Sequence, residues 1–425
     1  MTDTIFAHSS GGPPAAIAII RVSGPQAADA LMALAGRDLP PRRAVSVTLR
    51  DRHRTVLDRA LALWLPGPQT ATGEDTLELH CHGGRAVVAA VEAALAALPG
   101  HRAAVAGEFT RRAFANGKID LAEAEGLADL LSAETELQRQ SAMAMAGGAF
   151  SALVAQWREG LLNLSAAVEA VLDFSDEDDV SGLPSLFSDQ LAQLQTELGT
   201  WLARPRAEAL REGFRVVLAG PPNAGKSTLF NALVESEAAI TAPIAGTTRD
   251  VLTHPVAISG VPFRFVDTAG LRDALGDSVE AVGIARARAA LEQADLVLWL
   301  GPESHGPSGS WEIDPQADRH PAATKRQPRH RLSAVTGQGM DNLRADLVTA
   351  ARAALPRPGE AALNARQHRL LAEAAEALSA AASLTDPLLV AENLRLGRVA
   401  FDALLGRTTT EDMLDALFGR FCIGK

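Results

Sequence analysis

Apolar residues run almost unbroken through Ala15-Ala16-Ile17-Ala18-Ile19-Ile20-Arg21-Val22, the signature of a buried strand. A short helix is predicted over 27–34. Further strands fit 44–49, 57–65 and 76–80, and a helix over 85–98 closes at Pro99-Gly100. Residues 1–118 therefore read as a small α+β domain.

From Asp120 the period changes. Leu121, Ala124, Leu127, Ala128 and Leu131 recur at helical spacing, and amphipathic runs follow over 150–172 and 186–202. Similar sequence returns over 361–421, after Pro356-Arg357-Pro358-Gly359. Two helical blocks, 119–211 and 356–425, thus flank an insertion over 212–355. The insertion alternates strand and helix: a buried strand over 214–220, a glycine loop, a helix from Lys226, then strands over 263–267 and 295–300. Such alternation implies a parallel sheet covered by helices on both faces. The fold class is multi-domain: an N-terminal α+β domain, a helical-bundle domain, and an inserted α/β domain.

Composition narrows the possibilities. A chain of 425 residues with 47% hydrophobic and 21% charged residues is a globular protein of two or three domains. It has no apolar run of about eighteen residues, which predicts no membrane span. The start, residues 1–14, lacks the basic and apolar regions of a signal peptide. Its two cysteines, Cys81 and Cys422, build no disulfide framework. A cytoplasmic location is expected. The net charge of −11 disfavours non-specific wrapping of nucleic acid. The absence of tyrosine and an aromatic content of 4% argue against base-stacking platforms. Any RNA contact needs a local patch or a partner's charge.

Gly220-Pro221-Pro222-Asn223-Ala224-Gly225-Lys226-Ser227, followed by Thr228, matches G-x-x-x-x-G-K-[ST] between a strand and a helix. The glycines let backbone N–H groups curl around phosphates, Lys226 adds a charge, and the Ser227 hydroxyl is a Mg²⁺ ligand. Gly246-Thr247-Thr248 follows the first helix, with Thr248 suited to Mg²⁺ and the γ-phosphate. Asp267-Thr268-Ala269-Gly270 ends a strand, so that Asp267 can hold the metal's water shell. In this order the three motifs describe a switch-type nucleotide hydrolase with an inserted P-loop (Ras-like) G domain. The glutamine that orients water in Ras-like enzymes is replaced by Leu271. Glu280 is then either a substitute or simply an acid favoured at a helix N-terminus.

At these residues the chain resembles the MnmE/TrmE family of tRNA-modification GTPases, nearly end to end. The likeness includes Ile20-Arg21-Val22-Ser23-Gly24, Thr72-Gly73-Glu74-Asp75, and Leu77-Glu78-Leu79 with His82-Gly83-Gly84. It continues through Gly107-Glu108-Phe109-Thr110-Arg111-Arg112 and Asn116-Gly117-Lys118-Ile119-Asp120, and ends at Phe421-Cys422-Ile423-Gly424-Lys425. The resemblance implies an N-terminal domain that forms a homodimer and binds 5-formyltetrahydrofolate through Arg21, Glu78, Lys118 and Lys425. It implies GTP as substrate and a K⁺ ion held by Asn223, with further contacts at Ala242, Ile244 and Thr247. It assigns water orientation to Glu280. It also implies an FAD-containing partner of the MnmG/GidA type, in a heterotetramer, and modification of C5 of a tRNA wobble uridine. Cys422 falls on the family's C-terminal cysteine, either as a reactive thiolate or as an inert residue of a tail folded onto the core.

One departure stands out. The family places a helix, a buried strand and N-K-x-D after the strand that here ends at Leu300. This chain has a Pro-, Gly-, Ser- and His-rich stretch over 301–323 with no evident strand, then Thr324-Lys325-Arg326-Gln327. Read as the base motif, Lys325 packs on guanine, Thr324 replaces Asn, and Gln327 lacks the charge of the family's Asp. Ser333 and Ala334 supply the final base-contacting loop. This leaves two functions open, a cycling K⁺- and Mg²⁺-dependent GTPase and a folate-binding scaffold with a degenerate G domain. His80-Cys81-His82 is discounted as a metal site, because on a strand Cys81 points away from the two histidines. The acidic run 173–179 reads as a solvated loop, and the basic stretch 325–331 as loop charge.

Overall fold

The computed structural model describes residues 3–173, 183–235, 253–267, 288–320, 322–408 and 410–424. They form two units, one of residues 1–128, 151–156 and 399–425 and the other of 129–150 and 157–398. Among the described residues no helix is long and apolar enough to cross a membrane.

In the first unit the chain runs β1 (Thr4–His8), β2 (Ile17–Ser23), α1 (Ala27–Ala35), β3 (Ala44–Arg50), β4 (Val56–Leu65), β5 (Thr76–His82), α2 (Arg85–Ala96) and β6 (His101–Ala103). The sheet order is β3-β4-β5-β2-β1-β6, antiparallel except for the β1–β6 pair. Strand alternation decides what each face carries. Ala18, Ile20 and Val22 of β2 and Leu77, Leu79 and Cys81 of β5 join Leu31, Leu34, Val88, Val91 and Leu95 of α1 and α2 in one core. The opposite face takes the alternate residues, among them Arg21, Glu78 and His80. The short strand β1 and the edge strand β6 escape detection in the sequence, because neither is long enough to show a period.

The helix α3 (Glu108–Ala115) carries Arg112, whose side chain is fully buried and paired with Asp3, Glu74 and Glu108. Its neighbours α4 (Leu121–Ser132) and α13 (Glu411–Phe418) bring Leu121, Ala124, Leu414, Leu417, Phe418 and Phe421 into a second cluster. The tail after α13 folds back on β1. A side chain at Gly424, whose φ is 96°, would meet the His8 carbonyl at 2.3 Å.

The second unit holds α5 (Glu136–Ala146), α7 (Ser185–Leu202), α8 (Ala207–Glu212), α11 (Ala365–Ser383) and most of α12 (Pro387–Leu404). The long helix α6 (Ala149–Asp173) runs through both units. Phe150, Trp157 and Trp201 pack edge-on or tilted, with the Trp157 indole donating to Glu197 at 2.8 Å. The sheet of this unit contains β7 (Phe214–Ala219), β8 (Thr253–Ile258), β9 (Val261–Asp267), β10 (Leu296–Trp299), β11 (Trp311–Asp314) and β12 (His330–Arg331). Its order is β12-β11-β10-β7-β9-β8, parallel throughout except for the β8–β9 hairpin. Helices α9 (Lys226–Val234) and α10 (Met340–Ala354) cover one face with Leu229, Leu233, Leu343 and Leu347.

The strand missing from the sequence reading is therefore present. In Trp311-Glu312-Ile313-Asp314, Trp311 and Ile313 enter the core while Glu312 and Asp314 take the other face. Two acids in four residues hide the strand from any search for an apolar run. No helix is described between β10 and β11, and a polar cluster holds the connecting chain. Lys325 donates to Glu312 at 2.5 Å and to the Trp299 carbonyl at 2.8 Å, and Thr324 donates to Asp314. Glu303 accepts the N–H groups of Arg326 and Gln327, both at 2.8 Å.

Candidate functional site: a phosphate-binding loop and a base-side loop

The P-loop leaves the C-terminal end of β7, where an open parallel sheet places its ligands. Gly220 has φ 149°, and a Cβ there would sit 3.0 Å from the Gly301 nitrogen and 3.1 Å from the Leu300 carbonyl carbon, so glycine is required. Asn223 and Gly225 are left-handed at φ 61° and 88°, which curls the loop before α9 begins at Lys226. Ala224 packs partly buried against the core. The α9 N-terminus then turns its first-turn N–H groups and a positive dipole end toward the loop. The Lys226 ammonium donates to the carbonyls of Gly220 at 3.0 Å and Pro221 at 2.8 Å, at the mouth of the same loop.

Ser227 donates its hydroxyl to the Asp267 carboxylate at 2.6 Å, joining the start of α9 to the end of β9. This pair of oxygens suits Mg²⁺, which takes few protein ligands and completes its octahedron with water and phosphate. Thr228 follows on the exposed side of α9. Ala242, Ile244, Thr247, Thr248, Thr268, Ala269, Gly270 and Glu280 lie outside the described residues, as does Lys425.

The base side differs from the sequence reading. Lys325 is nearly buried, and its ammonium is spent on Glu312 and Trp299, so it does not stand free to cover a base. Gln327 is exposed, with its N–H on Glu303. Thr324 and Lys325 do line a cleft of about 280 Å³ with Pro221, Asn223, Pro315 and Gln316, but Gln327 does not. The loop that follows a strand directly into the site is Pro315-Gln316-Ala317-Asp318. Gln316 reaches the P-loop, its Nε2 lying 3.5 Å from the Asn223 carbonyl and meeting the space beside Gly225. The Ala317 N–H donates to the Leu332 carbonyl at 3.1 Å. Buried Ser333 hydrogen-bonds Asp318, and that bond holds the carboxyl below its ordinary pKa. Asp318 thus stays ionised beside Ser333. The signal was available: Asp318 stands four residues after β11, at the spacing of N-K-x-D. Recognising it required the strand.

In the first unit Arg21 donates through Nε at 3.0 Å and Nη2 at 2.9 Å to one oxygen of Glu78. β2 and β5 pair these two residues directly. The Arg21 guanidinium lies 5.8 Å from the Phe109 ring. Lys118 is exposed, and its Cε would be 3.0 Å from a Cβ at Gly73.

Two family profiles match the chain, one for the GTP-binding protein TrmE N-terminus over residues 4–118 and one for the MnmE helical domain over 121–422. The tRNA modification GTPase MnmE of Novosphingobium aromaticivorans is 66% identical over all of both chains. The protein of that name from Erythrobacter litoralis is 63% identical, again over all of both chains. That from Zymomonas mobilis is 50% identical over 99% of this chain and all of its own. The chain belongs to the MnmE family of tRNA modification GTPases. A solved FeoB G-domain from Methanococcus jannaschii, 22% identical, covers 33% of this chain and 99% of its own at a TM-score of 0.24.

The two cysteines of this MnmE-family chain part company. Cys81 is buried in the first core, and burial together with nearby Asp58 pushes its thiol up to about 12, which makes it inert. Cys422 is exposed on the tail that Gly424 anchors to β1.

Proposed function

We propose that this GTPase binds GTP between the P-loop and the 315–318 loop, and that hydrolysis drives rearrangement of a complex that modifies the wobble uridine of tRNA. The observation that carries the reading is the convergence of Lys226, the Ser227–Asp267 pair and the Asp318–Ser333 pair at the C-terminal ends of parallel strands. Mg²⁺ would be held by Ser227 and Thr248, with Asp267 taking a water of its shell, and would supply charge neutralisation at the phosphates. K⁺ would be held by Asn223 with Ala242, Ile244 and Thr247. Asp318 accepts the N–H donors on guanine's edge. Glu280 orients water in place of the glutamine that Leu271 displaces.

The first unit, by the same reading, binds 5-formyltetrahydrofolate through Arg21, Glu78, Lys118 and Lys425 and forms the homodimer. An FAD-containing partner completes the modifying complex in the cytoplasm, and Cys422 is its candidate thiol. The sheet face around Arg21 supports the folate reading, since a guanidinium beside a half-buried carboxylate can grip a pterin's donor and acceptor edge. The scaffold alternative rested on a base site without a carboxylate, and Asp318 supplies one.

The decisive test is phosphate release from the full chain with GTP and with ATP, each in KCl and in NaCl. GTP turnover favoured by potassium supports the cycling enzyme. No turnover, with folate binding retained, would leave the scaffold.

A further inference from the structure

The chain as a whole carries a net charge of −11, yet one stretch of it is strongly basic. Residues 37–59 hold seven arginines against three aspartates, with no lysine and no glutamate. Arg37, Arg42, Arg43, Arg50, Arg52, Arg54 and Arg59 are all exposed. None of the seven makes an ion pair with a carboxylate among the described residues. β3 is an edge of its sheet, with β4 on one side only. Arg42 and Arg43 precede it, Arg50 closes it, and Arg52 and Arg54 lie on the turn into β4. Arg37 reaches the middle of the strand, where its Nη2 donates to the Ser46 carbonyl at 2.9 Å. Arg59 pairs across from Thr48. Seven strand residues at about 3.3 Å each make this a strip roughly 20 Å long. Two of the three aspartates are engaged within the fold. Asp51 accepts the His53 and Thr55 N–H groups at 2.9 and 2.8 Å. Asp58, its side chain 8% exposed, accepts the His82 N–H at 2.8 Å and bonds the His82 ring at 2.7 Å.

We propose that the β3 edge and the 50–55 turn bind the phosphate backbone of RNA, and that the tRNA substrate meets the first unit there. This rests on the reading that the complex acts on tRNA. A guanidinium pairs with phosphate through two N–H groups and is more weakly hydrated than an ammonium, so arginines without lysine fit a phosphate partner. No aromatic residue falls in 37–59, so the contacts go to the backbone and not to stacked bases. Charge on an edge strand also deters pairing with another sheet, but either sign would serve for that. A second copy of the same surface would set arginine against arginine, whereas a polyanion relieves their mutual repulsion. An acidic chain thus gains a basic footprint confined to one hairpin.

The test is fluorescence anisotropy of an end-labelled tRNA transcript with the full chain, at KCl concentrations from about 50 to 200 mM. The triple variant Arg43→Ala, Arg52→Ala, Arg59→Ala should bind roughly tenfold to a hundredfold more weakly at the low end. Its slope of log K against log[KCl] should be shallower by about 2–3. The matching triple Arg43→Lys, Arg52→Lys, Arg59→Lys keeps the charge and should retain most of the parent's slope. The Arg43 side chain makes no hydrogen bond among the described residues, so Arg43→Ala alone, with an unchanged melting temperature, should flatten the slope by about 1. Alanine variants that bind as tightly as the parent with the same slope would overturn the proposal and place tRNA elsewhere on the chain. A parent that gives no anisotropy change at the low end would overturn it together with the reading that this chain touches tRNA itself. Sedimentation with phosphatidylglycerol vesicles covers the other polyanionic surface. Uptake of the parent that the alanine triple abolishes, with tRNA binding unaltered, would replace RNA by a membrane.

Discussion

The hydroxyl of Ser227 and the carboxylate of Asp267 meet at 2.6 Å across two adjoining elements of one sheet unit. Each residue belongs to a different sequence motif, and parallel pairing of β7 with β9 brings the motifs together. Ser227→Ala should raise the Mg²⁺ concentration needed for half-maximal GTP turnover by roughly tenfold or more. Titration of MgCl₂ at fixed GTP measures it, and an unchanged midpoint would remove Ser227 from the metal site.

Asp318 and Gln327 offer rival carboxylate-position residues, and their variants should separate cleanly. Asp318→Asn should weaken GTP binding by roughly tenfold to a hundredfold, the scale of a lost charge-assisted pair. Gln327→Ala should change it by less than about twofold. Equilibrium titration with mant-GTP distinguishes them, and the reverse ranking would restore the 324–327 motif.

Lys325 is expected to act on stability rather than on the nucleotide. Lys325→Ala takes the Lys325 donor away from one Glu312 carboxylate oxygen and from the Trp299 carbonyl and should cost about 1–3 kcal/mol. Urea unfolding followed by tryptophan fluorescence reports this directly, since Trp299 and Trp311 flank the cluster. GTP affinity at low temperature should stay within about threefold of the parent.

Glu108 predicts an acid sensitivity. Burial alone would raise its pKa, but hydrogen bonds from Arg102, the Val105 N–H and Arg112 outweigh that and hold it below its ordinary value. A depressed carboxyl stabilises the fold above its unfolded pKa, and that stability is lost as pH falls through the folded one. Unfolding of the parent should therefore become easier below about pH 4.5, the ordinary glutamate range. Glu108→Gln should lower stability at neutral pH by roughly 2–3 kcal/mol and flatten the acid dependence. An unaltered pH profile would show that the buried Arg112 cluster does not depend on this charge.

Arg21→Ala should weaken 5-formyltetrahydrofolate binding by roughly tenfold or more, because Glu78 then loses the guanidinium that donates to it and the ligand loses a donor. Isothermal calorimetry on the full chain measures it. Unaltered affinity would place the folate elsewhere.

The sequence by itself determined the phosphate centre and the succession of elements, for a local reason. A P-loop is one continuous segment whose glycines, lysine and serine act on the same ligand, so spacing alone carries its chemistry. The cores of β2, β5, β7 and β9 were legible in the same way, as apolar runs or as apolar residues alternating with polar ones. Only the tertiary structure decided the base side. β11 has two core residues and two acids, and it is a strand because β10 and β12 pair with it on either side. With that strand in place, Asp318 emerges beside Ser333 and Gln316 beside Asn223, while Lys325 turns inward to Glu312. Those partners are separated by between 13 and 93 residues, the latter for Gln316 and Asn223. No local pattern encodes contacts at such separations, because long-range pairing and burial choose them once the sheet has formed.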